Sequence, residues 1–96
     1  MKYFHRTSVG PDQVMHRAAS YFGSTMSPTE ESPRRRRYSS SLGQLSVVIE
    51  AEGGHYTRVT VETNQPGESE LDRAAKRFLA VVHTMGEPTH VLRGAY

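Results

Sequence analysis

Ser69 to Met85, SELDRAAKRFLAVVHTM, is the stretch that decides the architecture. Advanced by 100° per residue, it gathers Leu71, Ala74, Ala75, Phe78, Leu79, Val82 and Met85 into one broad apolar arc. Arg73, Lys76, Arg77 and Thr84 fall opposite, which is the pattern of a helix lying on a core with one face in water. Ser69 followed by Asp72 is a capping-box pattern with Asp in place of Glu, and Gly86 then Pro88 end the helix. Burying Leu71, Phe78, Leu79, Val82 and Met85 would contribute roughly 2 kcal/mol each as an upper bound, before the entropy lost on ordering the chain. No other segment offers as much.

Upstream of this helix the pattern is that of strands. Arg35 onward reads RRRYSSSL, then Gly43-Gln44, LSVVIEAE, Gly53-Gly54 and HYTRVTVETN, with Gln65-Pro66-Gly67 as the break. Gly43-Gln44 suits a two-residue turn with Gly first, and Gly53-Gly54 suits a tight hairpin between β-branched runs. The expectation is a three-stranded antiparallel meander in which Leu45, Val47 and Ile49 point one way, and Val59 and Val61 alternate with Tyr56, Arg58, Thr60 and Glu62. One face is apolar and the other largely polar.

At the other end, Lys2 to Ser8 (KYFHRTS) reads as a short strand, and Gly10-Pro11-Asp12 as a helix start with Pro at the first helical position. That helix runs to about Phe22, with Val14, Met15, Ala18, Ala19, Tyr21 and Phe22 on its apolar arc and Gly23 as the stop. Ser24 to Pro33 (STMSPTEESP) has two prolines and no period, so a mobile loop is expected over about 24–34. The tail from Pro88 to Tyr96 is expected either to fray or to add a short edge strand at His90 to Arg93.

The inferred order is β-α-β-β-β-α, with the tail as a candidate last strand. Both helices carry a single apolar face, to be laid on the single apolar face of an antiparallel sheet. This is an α+β two-layer sandwich in one domain, residues 1–96, with a ferredoxin-like βαββαβ arrangement as the alternative. The opening strand followed by TSVGPDQV, and the late GGHYTRVTVET followed by LDRAAKRFLAVV, resemble the helix-grip family of START-like and polyketide-cyclase-like proteins. That family has a first strand, a Pro-Asp/Glu-x-x-Val-like turn into a short helix, and a meander leading to a long C-terminal helix. The resemblance implies a role as a small-ligand carrier or enzyme, with a pocket for which Phe4, Leu45, Val59, Phe78 and Val82 are the candidate lining. The family has six strands after its first helix where about three are read here, so none of its site residues is carried over.

Ninety-six residues bury only around two thirds of their unfolded surface, which leaves little room for a large internal cavity. The chain contains no cysteine, excluding disulfides and thiolate metal sites and suiting a reducing compartment. MKYFHRTSVG lacks a signal-like apolar run, and no segment approaches the roughly 20 apolar residues of a membrane span. A soluble, cytoplasmic protein is therefore expected. The formal charge is only +2, and much of the basic character sits in Arg34 to Arg37.

Arg34, Arg35, Arg36 and Arg37, followed by Tyr38, form the most unusual local feature. They could contact phosphates while Tyr38 stacks on a base, or they could simply keep a sheet edge soluble beside Glu30 and Glu31. The histidines at 5, 16, 55, 83 and 90 include no i, i+4 pair on a helix and no HxH on a strand, so no metal site and no cofactor is assigned. His5 and His83 read as partly buried, singly bonded side chains. Glu50, Glu52 and Glu62 lie on adjacent strands, where Arg58 can pair with one of them across the sheet. No GxSxG, P-loop or GxGxxG pattern occurs, and no catalytic residue is assigned. The reading that remains is a binding domain. A homodimer formed through the exposed sheet face or its edges is the preferred form, and nucleic-acid binding is its rival.

Overall fold

The computed structural model describes residues 1–86. Five strands and two helices follow in the order β1 (Lys2–Thr7), α1 (Pro11–Gly23), β2 (Ser27–Glu31), β3 (Arg35–Ser40), β4 (Gly43–Glu52), β5 (Tyr56–Thr63) and α2 (Glu70–Gly86). The strands make one open sheet in the order β1-β5-β4-β3-β2, antiparallel throughout. β1 therefore reaches across the chain to pair with β5, while β2 to β5 form a meander. The result is the expected α+β two-layer fold. α2 lies over β1 and β5, and α1 lies over β4 and β3. The ferredoxin-like alternative places two strands between its helices, whereas four are found here. The expected strand at His90 to Arg93 lies outside the described residues.

The sequence pattern explains both helices. α1 begins at Pro11, which has no N–H to lose, and carries Asp12 in its first turn. Val14, Met15, Ala18 and Phe22 are buried, while Ala19 and Tyr21 lie at the margin of the face. In α2 the buried apolar residues are Leu71, Ala75, Phe78 and Val82. Ser69 caps this helix: its hydroxyl accepts a bond from the Asp72 amide at 3.2 Å, and its carbonyl accepts one from the Arg73 amide at 3.0 Å. Both faces meet Leu45, Val47, Ile49, Val59 and Val61 in one core cluster. At its centre the rings of Phe22 and Phe78 lie 5.0 Å apart, with Tyr38 at 5.7 Å from Phe22.

Two expectations are corrected. The segment expected as a mobile loop over about 24–34 contains β2, which forms the edge of the sheet. SPTEE has no alternation of its own and owes its conformation to β3. Glu31 and Glu30 stand opposite Arg36 and Arg37, with ion pairs of 3.8 and 3.3 Å. Met26, buried just before the strand, and the Ser32 turn, whose amide bonds the Arg35 carbonyl at 2.9 Å, hold the two ends. Pro28 is tolerated because an edge strand needs no donor on its outer side.

The second correction moves a turn. Ser40 pairs with Gly43, so the two-residue connection is Ser41-Leu42, and Gly43-Gln44 already belongs to β4. A displacement of two residues preserves the period of a strand, which is why Leu45, Val47 and Ile49 still face the core. The Gly53-Gly54 hairpin is present, with φ of +60° and +77° at the two glycines and a bond from the His55 amide to the Glu52 carbonyl at 3.3 Å.

Candidate functional site

Strand alternation builds the second face of the sheet, and both described helices lie on the other one. In β1, Tyr3, His5 and Thr7 turn inward, so Lys2, Phe4 and Arg6 turn outward. Register then places Phe4 beside Thr60, Thr60 beside Val48, and Val48 beside Arg35, making a transverse row with an apolar centre. Phe4 is 53% exposed, an unusual position for a phenylalanine in a strand. With Val48 and Thr60 it lies in a shallow depression of about 570 Å³, bordered by Lys2, Arg35 and Glu50.

Two cations lie against the Phe4 ring. The Arg58 guanidinium lies 4.7 Å and that of Arg6 5.3 Å from its ring centre. Both arginines share Glu52, Arg6 through Nε at 2.6 Å and Arg58 through a terminal nitrogen at 3.6 Å. The Arg6 hydrogen bond is the main reason the Glu52 carboxyl sits below the usual range. Arg58 Nε is out of water and has no hydrogen-bond partner among the described residues. The expected pairing of Arg58 with a neighbouring-strand glutamate is thus present at Glu52. Glu50, directly opposite Arg58, is not the partner.

The arginine run does not form one patch. Alternation sends Arg35 and Arg37 to the outer face and Arg36 and Tyr38 to the inner one. Arg34 bonds Asp12 at 2.7 Å, Arg36 and Arg37 pair with Glu31 and Glu30, and Arg35 has no ion pair among the described residues. Tyr38 is buried in the core at 2% exposure, where loss of water raises its pKa, so it does not offer a ring for base stacking. A strand places neighbours on opposite sides, and Tyr38 was on the buried side.

The five pocket candidates are likewise divided. Leu45, Val59, Phe78 and Val82 are all in the core cluster, 2% exposed or less, while Phe4 is on the opposite side of the sheet. They do not line a common cavity. Among the described residues no group of three or more His, Asp or Glu side chains is placed to hold a metal ion. His5 and His83 meet edge to face, 5.5 Å between ring centres. Burial, and then the neighbouring His83, lowers the pKa of His5.

One constellation was not foreseen. Asp72 is completely buried, and each of its oxygens is used. Oδ1 accepts the Tyr3 hydroxyl at 2.6 Å, while Oδ2 accepts the Glu68 amide at 3.0 Å and lies 3.3 Å from Lys76 Nζ. Glu68 is the one described non-glycine residue with positive φ, at 69°, so the carboxylate also fastens an unfavourable backbone turn at the entrance to α2. The Tyr3 hydroxyl, foremost, and the other donors hold the Asp72 carboxyl below its usual range despite burial, and the same bond raises the Tyr3 pKa. In the sequence the only sign was Asp72 in a cap position with Lys76 one turn on, because Tyr3 is far away along the chain.

A carboxyl whose pKa is lowered by folding stabilises the fold above its unfolded pKa, near 4, and that contribution fades as pH falls through the folded value. Asp72→Asn is therefore expected to lower the urea midpoint at pH 7, and the gap from the parent should narrow at pH 3. A gap that stays constant between those pH values would show that the charge on Asp72 does not hold the helix entrance.

Compared with known proteins, the chain matches no family model and no curated protein sequence. No described helix is long and apolar enough to cross a membrane.

Proposed function

We propose that this is a binding domain whose occupant lies on the outer face of the sheet, and that the occupant is a second copy of the chain. The observation that carries the reading is Phe4. A half-exposed aromatic ring, lying against Arg58 and Arg6 and beside Val48 and Thr60, contributes little to the core but is the type of anchor that interfaces desolvate. Charges of both signs border it, which favours a specific partner over general adhesion.

Sedimentation at tens of micromolar tests this. The parent chain should contain dimer, and Phe4→Ser should shift it to monomer with little change in the unfolding midpoint, because Phe4 is outside the core. Monomeric parent protein at that concentration would end the reading. Nucleic-acid binding has less support, since three of the four arginines in the run already have acidic partners and Tyr38 is buried. A helix-grip carrier also has less support, because four of its five candidate lining residues are in the core cluster.

A further inference from the structure

Across the outer face, register aligns Lys2 with Glu62, Glu62 with Ser46, Ser46 with Arg37, and Arg37 with Glu30. One transverse row, one residue from each strand, thus reads plus, minus, neutral, plus, minus. Read backwards it becomes minus, plus, neutral, minus, plus, so the row is the charge complement of its own reversal. We infer that the outer face pairs with itself about a two-fold axis that passes over Ser46 at about 15° to the strands, half the crossing angle of aligned sheets. Lys2 then meets Glu30 of the second copy, and Glu62 meets Arg37 of the second copy, each contact occurring twice as an isologous interface requires.

This deepens the proposed self-association and rests on it. Within one chain Arg37 and Glu30 already lie 3.3 Å apart, with side chains 54% and 42% exposed. The second copy therefore extends an existing pair into a network and does not have to assemble one. Exposed pairs of this kind contribute little affinity individually, so they set the register while the apolar row of Val48 and its neighbours supplies the burial. With strands about 4.8 Å apart and about 3.3 Å per residue, the five-stranded face measures roughly 500–600 Å². Two copies would bury roughly 1,000–1,200 Å² in total, the lower end for a specific interface, so a weak dimer is expected. The about 30° crossing of aligned sheets carries the Glu50 side chains of the two copies apart, away from the axis.

Charge exchange tests the register. Glu62→Lys alone opposes two cations across the axis, and Arg37→Glu alone opposes two anions, so each variant should dissociate on the order of tenfold more readily than the parent. Mixed together, the two variants restore attraction at every contact of the row and should form a heterodimer by sedimentation. Arg37→Glu also places a carboxylate beside Glu30 in its own chain. Lys2→Glu with Glu30→Lys is therefore a second exchange by the same logic, and thermal unfolding checks each variant. A dimeric parent with unaffected single variants, or with weakened variants that do not recover on mixing, overturns the register but leaves self-association standing. A monomeric parent overturns both.

Discussion

Replacing Phe78 by alanine is expected to cost roughly 3–5 kcal/mol, a large part of the 5–15 kcal/mol that holds a typical domain together. Phe78 is fully buried at the junction of the two layers, with its ring centre 5.0 Å from that of Phe22 and 5.5 Å from that of Tyr21. Alanine would leave a space that neither the sheet nor α1 can collapse into without moving the other. Two residues on and about 200° around the same helix, Ala80 is exposed, and Ala80→Lys should stay within about 0.5 kcal/mol. Urea midpoints of the two variants provide the comparison. A mild Phe78→Ala would mean that the core is not organised around this ring. A damaging Ala80→Lys would mean that the helix, not the sheet, carries a subunit contact.

The second large effect is expected at Gly43. Its φ of +135° is one that side-chain-bearing residues rarely adopt, and an added Cβ would lie 2.6 Å from Asn64 Oδ1 and 2.7 Å from Gln65 Nε2. Those atoms can move, but Asn64 Oδ1 accepts the Gln44 amide at 2.9 Å, and moving it gives up that bond. Gly43→Ala should therefore cost roughly 1–3 kcal/mol through backbone strain. Gly23 is the contrast: it ends α1 without positive φ and has open space at its Cβ. Gly23→Ala should stabilise by about 0.4–1 kcal/mol, chiefly by restricting the unfolded chain. Differential scanning calorimetry should show melting temperatures shifted in opposite directions. If both shifts had the same sign, the left-handed backbone at Gly43 would not be what constrains that turn.

The layers were legible because local pattern and tertiary demand agree in α1, α2, β4 and β5. Each has one apolar face with the period of its element, and those faces find one another. β2 was not legible because Ser27 to Glu31 become a strand only opposite Arg36 and Arg37. The turn after β3 was misplaced because Ser40, Ser41 and Leu42 resemble strand as much as turn, while Gly43 is needed for its backbone rather than for its place at a turn centre. In β1 both alternate sets, Lys2-Phe4-Arg6 and Tyr3-His5-Thr7, are mixtures of apolar and polar character. Hydrophobicity alone would turn Phe4 inward. Tyr3 occupies the inner position, where its hydroxyl satisfies the buried Asp72. That exchange moved Phe4 out of the expected pocket and onto the candidate interface.

The pairing of β1 with β5 alone has a consequence for how the chain reaches this state. β2 to β5 are joined by short turns, so each of those ladders closes over a few residues, whereas Lys2 must find Glu62 across about sixty. By loop-closure entropy that step is roughly 2–3 kcal/mol more costly than closing a tight hairpin, and its cost falls before its contacts form. The topology therefore favours a meander that forms early and a first strand that docks late. In the interval α1 can already lie on β3 and β4, while the carboxylate of Asp72 waits without the Tyr3 hydroxyl. A chain growing from its N-terminus meets the same order, because β1 is made first yet has no strand to pair with until β5 has followed.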